Sequence, residues 1–471
     1  MRYISLLYIL VPSLLLSKSV TFNEILDLTM KNNQELKAKK LDIDKANATL
    51  KEVKGSELGV LKFNENITQT NHAGYVFGMK LGAREATFGD FGFDQFLSST
   101  AMQKIVANNT GVTMADSQNL LATQPNNLNN AETRTNYESK LSYDLPIFVG
   151  WKIASAKEMM SLQTKANEVK YKFDEKALAL EVLKTYNGAV AAKSFISATK
   201  KAKEATTSYV NFATELLNEG FVTKIDLKQA QVYDMDVNAK ISEATNQFAL
   251  ALAYLRFLSD NNEITDVESF ANFACKKDAN LQAMQELALT QRDDLAWMGY
   301  NKDTAKSKIT FDSADELPMI GLHAEYGYND DNLNNIRGSK DYYLIAGGLE
   351  YKIFNGFASS MAKQKAKIDF QKASYYHSYM SEGIKLEIEK NYLILQTKKS
   401  VSIEKQKALN LAEEIAIQTE ELYKNHLTNM TNLLIQQANL EKARAEAIMA
   451  TYDETIAAAN LKISLGEYLD N

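Results

Sequence analysis

Two stretches of this chain almost lack the residues that stop a helix. Residues 151–218 contain no proline and one glycine, Gly188, and residues 357–424 contain no proline and one glycine, Gly383. Small and apolar side chains recur at helical spacing within them, as in Ala166, Val169, Phe173, Ala177 and Leu180. A helix rises about 1.5 Å per residue, so each stretch predicts a rod of about 100 Å. No compact domain is that wide. The whole chain of 471 residues has only four prolines and 20 glycines, which also argues against a loop-rich all-β fold.

The two stretches belong to a larger internal repetition. Ile147-Phe148-Val149-Gly150-Trp151 matches Ile353-Phe354-Asn355-Gly356-Phe357 at an offset of 206 residues. The same offset pairs Glu215-Leu216 with Glu421-Leu422, Gly220 with His426, and Ala253-Tyr254-Leu255-Arg256-Phe257 with Ala459-Asn460-Leu461-Lys462-Ile463. The front ends match at an offset of 259: Asn33-Gln34-Glu35-Leu36 with Arg292-Asp293-Asp294-Leu295, and Gly59-Val60-Leu61 with Pro318-Met319-Ile320. The offsets differ by 53 residues, which places an insertion of that size in the first half, between Asn64 and Leu145. Each half then reads helix, strand, loop, strand, long helix, turn, shorter helix. The shorter helices are expected at 21–57, 224–258, 278–311 and 429–466, with a linker at 259–277 between the halves and a tail at 467–471. Pairs of them stacked end to end match the long rods, the plan of a tube wall rather than a globule.

The predicted strands alternate. In Tyr137 to Leu145 the apolar and aromatic side chains dominate the odd positions and the charges fall on the even ones. Ile320, Leu322, Ala324, Tyr326 and Tyr328 form one face of a strand at 318–330, and Tyr343, Ile345, Leu349, Tyr351 and Ile353 one face of another at 341–354. A weaker strand starts near Leu61. Such segments fit a membrane barrel, although an ordinary half-buried sheet alternates identically. Helices of 100 Å leave a four-stranded sheet without an obvious core, which favours the barrel. Four strands cannot close one, since about eight are the minimum, and open edges are forbidden in lipid. The chain must therefore oligomerise; three copies give twelve strands and twelve rods.

The amino terminus reads as a secretory leader, residues 1–19. A basic start at Arg2 precedes the apolar run Ile4 to Leu16, and Ser17 and Ser19 are small residues before a cut ahead of Val20. An uncleaved anchor is the alternative, disfavoured by a run short for a membrane span. Mean hydropathy of −0.31 excludes a bundle of membrane helices. A net charge of −6 argues against a nucleic-acid partner. One cysteine, Cys275, and four histidines leave little scope for disulfides, metal sites or imidazole chemistry, and no catalytic, phosphate-binding or zinc-binding motif stands out. No enzyme activity, cofactor or metal is expected.

In this order and spacing, several short motifs resemble the outer-membrane efflux protein family, the TolC family. Leu28 to Leu36 looks like its opening helix. Pro146-Ile147-Phe148-Val149-Gly150 and Ile353-Phe354-Asn355-Gly356 look like its strand-to-helix junction, with Pro318 at the corresponding strand start. Asn218 to Leu227 looks like its helix-end turn, and Leu461 to Gly466 like its closing segment. The resemblance implies a mainly α fold with a small β part. Long antiparallel helical hairpins would form a periplasmic α-barrel. Four strands per chain would join a trimeric twelve-stranded transmembrane β-barrel. It also implies a homotrimer in outer-membrane lipid, with a periplasmic adaptor (membrane fusion protein) and an inner-membrane pump of the RND, ABC or MFS type as partners. Such a duct passes substrates outward; the substrate is not legible.

By the same resemblance, the two helix-end turns hold the functional residues. Gly220, Phe221, Val222 and Thr223, with Asn425, His426 and Leu427, would meet the adaptor; the other reading packs Phe221 and Val222 within the helical pair. Asp226 and Tyr423 match an acidic residue and a tyrosine whose hydrogen bond locks the entrance, while Thr223-x-x-Asp226 is also a capping box. Thr428, Asn432 and Ile435 depart from the charged residues some members carry, so a ring at Asn432 would be amide-lined. The insertion, near 75–130, joins the strands of the first hairpin and reads as a surface loop; capping the barrel or folding into its mouth is the alternative. A different class, a periplasmic helical-hairpin adaptor or scaffold outside the membrane, is the second reading. Adaptors usually have one hairpin between small β-domains, not two bracketed by tyrosine-rich strands.

Overall fold

The computed structural model describes residues 18–107, 111, 113–273, 280–333 and 339–469. The expected leader apart from Lys18 and Ser19, and Cys275, lie outside the described residues. In chain order the elements are β1 (Lys18–Val20), α1 (Phe22–Asn32), α2 (Gln34–Gly55), β2 (Val60–Thr70), α3 (Ala73–Gly82), α4 (Phe93–Ser98), α5 (Thr100–Val106), α6 (Met114–Ala122), α7 (Asn126–Asn129), β3 (Arg134–Val149), α8 (Lys152–Asn218), α9 (Lys224–Ser259), β4 (Ile264–Val267), α10 (Leu281–Gln291), α11 (Asp293–Ser313), β5 (Met319–Asp330), β6 (Asp341–Glu350), α12 (Ala358–Lys424) and α13 (Met430–Ser464). The two long rods are α8 and α12, 67 residues each. No described helix is long and apolar enough to cross a membrane.

The chain divides into two compact units. The first comprises the residues up to Asn47, Leu162–Asp303 and Phe370 onward. Its principal core surrounds a two-stranded parallel sheet in which β1 pairs with β4, Val20 opposite Val267. Phe22, Ile25, Val182, Leu183, Tyr186, Leu255 and Ile264 pack there. Tyr186 donates from its hydroxyl to the Val20 carbonyl at 3.1 Å, and its ring meets Phe22 edge-on. Burial pushes its phenol up to about 12. Asn187, with no exposed surface, holds the linker that follows β4. Its Oδ1 accepts from the Ala271 N–H at 3.0 Å, and its Nδ2 donates to the Ala271 carbonyl and to Thr455 Oγ1. One amide thus ties α8, the linker and α13. Lys18 and Ser19, on the leader side of the expected cut, are part of β1.

Two of the expected helices are broken. The 21–57 helix divides at Asn33, whose Oδ1 accepts from the Leu36 N–H at 2.9 Å while its Nδ2 donates to the Leu258 carbonyl. The 278–311 helix divides at Arg292, whose guanidinium bonds Asp294 twice, Glu387 and the Ser464 carbonyl. Asn33 caps the new helix while bonding a neighbour, and Arg292 ties the second break to α12 and α13; such side-chain bonds offset the helix hydrogen bonds lost at the break.

The second unit comprises Ala48–Ser161 and Thr304–Asp369. Its sheet is antiparallel throughout, in the order β2-β3-β5-β6. The register puts Lys62, Asn64, Asn66, Glu138, Lys140, Asp144, His323, Glu325 and Asn329 on one face. Leu61, Phe63, Ile67, Leu141, Tyr143, Leu322, Tyr326, Tyr343, Ile345 and Leu349 share the other. Most of that apolar face is exposed, as at Phe63 (69%) and Tyr343 (78%). Pro146 lies in β3 beyond the last β2 partner, Asp144, so its missing N–H removes no bond on that side. β6 ends at Glu350 rather than 354. Among the described residues, the insertion, expected as a loop, holds the short helices α3 to α7.

Replacing Asn187 by Ala leaves the buried Ala271 N–H and carbonyl without their partner and is expected to destabilise the first unit by about 2–3 kcal/mol. A urea unfolding midpoint compared with the parent chain reads this, and an unchanged midpoint contradicts the tie.

Candidate functional site: the two helix-end turns

The ends of α8 and α12 close by the same backbone device. Gly220 has φ +79°, the Phe221 N–H reaches the Leu216 carbonyl at 2.8 Å, and the Gly220 N–H reaches Leu217 at 3.1 Å. His426 has φ +62°, with Leu427 bonded to Leu422 at 2.8 Å and His426 to Tyr423 at 3.0 Å. This double bond pattern terminates a helix through a left-handed residue. Glycine takes that conformation freely. Histidine does so at a cost of about 1–2 kcal/mol. His426 carries it while its ring stacks on Phe221, centroids 5.6 Å apart. The two turns are therefore in contact with each other.

The next helices start with side-chain caps. Thr223 and Asp226 form a reciprocal box: Asp226 Oδ2 accepts from the Thr223 N–H at 2.8 Å and from its hydroxyl at 2.7 Å, and Thr223 Oγ1 accepts from the Asp226 N–H. Asn429 caps α13 by accepting from the Asn432 N–H at 2.8 Å. The Asp226–Tyr423 hydrogen bond is not made. Tyr423 is buried, packed edge-on against Phe212, and its hydroxyl has no partner among the described residues. Burial, and then the charge of Asp226, push its phenol up.

Beneath the turns lies an apolar plug of Tyr209, Ala213, Leu216, Ala230, Tyr423, Met430 and Leu433. Val222 packs against it, whereas Phe221 and Leu427 are about 70% exposed (67% and 73%). Val222 is thus packed within the helical pair, and Phe221 is not. Tyr209, unremarked in the sequence, spans the hairpins: it donates to Glu420 at 3.0 Å and accepts from Gln437 at 2.6 Å. Tyr233 likewise donates to Glu441. Thr428 and Asn432 are joined, Asn432 Nδ2 donating to Thr428 Oγ1 at 3.0 Å, and Ile435 is exposed one turn on. Asn425 Nδ2 donates back to the Glu421 carbonyl.

The strand-to-helix junctions are a second matched pair. Gly150 and Trp151 have φ +64° and +68°, and Gly356 and Phe357 have +68° and +66°. A Cβ on Gly150 would lie 2.4 Å from the Ala314 carbonyl oxygen, so glycine is required there on both counts. Pro318 immediately precedes β5.

Comparison with known proteins gives a consistent picture. The outer membrane efflux protein family model matches residues 109–260 and 285–467. The alkaline protease secretion protein AprF of Pseudomonas aeruginosa is 25% identical over 246 residues, 51% of this chain and 50% of its own length. Outer membrane protein TolC of Escherichia coli is 25% identical over 231 residues, 48% of this chain and 45% of its own. The chain thus spans about half the length of these curated relatives. The CmeC outer membrane channel of Campylobacter jejuni superimposes with a TM-score of 0.75 at 16% identity, covering 94% of this chain and 85% of CmeC.

Thr223→Ala removes one half of the capping box and is expected to cost about 1 kcal/mol, read as faster amide exchange in the first turn of α9. Tyr423→Phe removes a buried hydroxyl without a partner and is expected to slow exchange around the same plug. Faster exchange in Tyr423→Phe would mean that the hydroxyl has a partner in the assembled protein.

Proposed function

The chain belongs to the outer membrane efflux protein family, and from that premise we propose that it is one subunit of a homotrimeric exit duct, passing substrates from an inner-membrane pump and a periplasmic adaptor to the exterior. The family is one of channel proteins, not enzymes. The observation that carries the reading is the four-stranded sheet. It has an exposed apolar face, a charged face and two strands, β2 and β6, at its edges. A sheet of that kind is usable in lipid only when copies close its edges, with the charged face inward.

A second feature supports self-association. α12 exposes Tyr375, Tyr379, Leu386, Leu393, Leu411, Ile415 and Leu422, at steps of four, seven or their sums. α9 exposes Ile225, Val232, Met235, Leu250 and Phe257. Heptad seams of this kind pack against another helix. In the trimer the seam of one copy meets a helix of the next, and the scaffold reading outside the membrane leaves both seam and tyrosine-rich sheet face in water.

The turns are the inner entrance in this reading. Phe221, His426 and Leu427 form an exposed apolar tip for the adaptor, with Gly220, Val222, Thr223 and Asn425 shaping it. The plug with Tyr423, and the Thr428–Asn432 pair with Ile435, stand at the gate. Its pore ring is an amide ring, without fixed negative charge. The type of pump, RND, ABC or MFS, follows from the adaptor that the tip selects.

Leu386→Glu with Leu393→Glu places two charges in the seam. The parent protein is expected to run as a heat-resistant trimer from the outer-membrane fraction on an unboiled gel, and the double variant as a monomer. A parent protein found as a soluble periplasmic monomer would sink the duct. For the gate, conductance of the purified trimer in planar bilayers is expected to change little when multivalent cations are added on the inner side; strong block would contradict the amide ring.

A further inference from the structure

The insertion joins β2 to β3, neighbouring strands that a two-residue turn could connect. It instead crosses β3 and grips the far hairpin. Arg84 donates from its guanidinium to the carbonyls of Ser339 and Asp341, at 3.0 and 2.9 Å. Glu85 accepts from Arg134 at 2.5 Å and from Lys340, and Lys340 also reaches Asp330 at 2.7 Å. Asp330 is 1% exposed and Arg134 11% at the side chain, so water screens these pairs poorly. Burial pushes the Glu85 carboxyl up, but its bonds to Lys340 and Arg134 outweigh that and hold it below the usual range. A second pair, Lys80 with Asp90, ties α3 to the loop after it.

Register shows which face of the sheet is covered. Arg134 is paired with Thr70 and Asn329 with Glu138, so both belong to the charged face. Gly82, the last residue of α3, lies so close to that face that a Cβ would come within 2.4 Å of Asn329 Nδ2. Asn136, on the same face, is 6% exposed. α3 and the turn after it therefore rest on the charged side, at the loop end of the strands.

Two features mark this seat as one the segment can leave. Arg84 is held at φ +54°, a left-handed conformation that an arginine adopts under constraint. Beneath the segment, Arg134 Nε, Asn136 Oδ1 and Asn329 Oδ1 are buried and have no hydrogen-bond partner among the described residues. A permanently packed contact would satisfy such atoms.

We propose that residues 73–98 are a plug seated inside the outer mouth of the duct, latched by Arg84 and Glu85 to the β5–β6 hairpin. The proposal rests on the duct reading, which puts the charged face inward. In the seated state the mouth is narrowed, and release of the latch opens it without any change at the inner turns. The short helices have the length of packing pieces, not of a wall.

The test is access to the charged face from outside. In a Cys275→Ser background, Lys62→Cys puts a thiol on that face near the opposite end of β2. Intact cells are treated with a bulky polyethylene-glycol maleimide. Labelling is expected to be slow in this parent, and several-fold faster with Glu85→Gln, with Arg84→Gly, and when residues 73–131 are replaced by a short turn. Arg84→Gly suits the left-handed backbone, so it loses the latch without straining the fold. Equal, fast labelling in all four would overturn the plug and leave the duct standing. A thiol that stays unreactive in all four, yet labels after denaturation, would overturn the duct reading and the plug with it.

Discussion

A four-stranded sheet with unpaired edges cannot be stable in lipid, and that constraint organises the molecule. Each backbone N–H or carbonyl left open in hydrocarbon costs several kcal/mol. β2 and β6 are the edge strands, and they flank a sheet that is apolar on one side and charged on the other. In the proposed duct, closing those edges with other copies determines which face meets lipid and which meets water. It also fixes how many long helices stand together, because β3 leads directly into α8, and β6 through a short link into α12.

The long helices pose the complementary problem. A 67-residue helix has no core of its own, and its stability comes from lateral packing. Within one copy that packing is concentrated in patches: the core around β1 and β4, a cluster with Ile384 and Ile388, and the plug at the turns. Between the patches the apolar seam of α12 is open. Specific polar ties set the register of the patches. Asn187 joins three segments, Tyr209 bridges Glu420 and Gln437, and the buried Lys176 donates to Asp293 and to the Gly466 carbonyl.

Much of this was legible in the sequence because it depends on periodicity and on breakers. The rods, their turns and the strand faces follow from spacing alone. The helix breaks at Asn33 and Arg292 were not legible as breaks, although both residues stand in the matched Asn33-Gln34-Glu35-Leu36 and Arg292-Asp293-Asp294-Leu295 segments. Neither is proline or glycine, and each breaks its helix through side-chain bonds to distant residues. The short helices between β2 and β3 were not legible because they are too short to show a period. At the turns, Thr223-x-x-Asp226 was readable as a cap, but the orphaned Tyr423 hydroxyl and the stacking of Phe221 on His426 depend on packing between hairpins 200 residues apart in sequence.

The central claim is the closure of this sheet by other copies of the same chain. Electron cryo-microscopy of the purified protein in lipid nanodiscs tests it most directly. The account predicts a three-fold particle with one barrel of twelve strands, β6 of each copy paired with β2 of the next and the tyrosine-rich face against lipid. A particle in which those edges stay unpaired, or in which the charged face meets lipid, would contradict it.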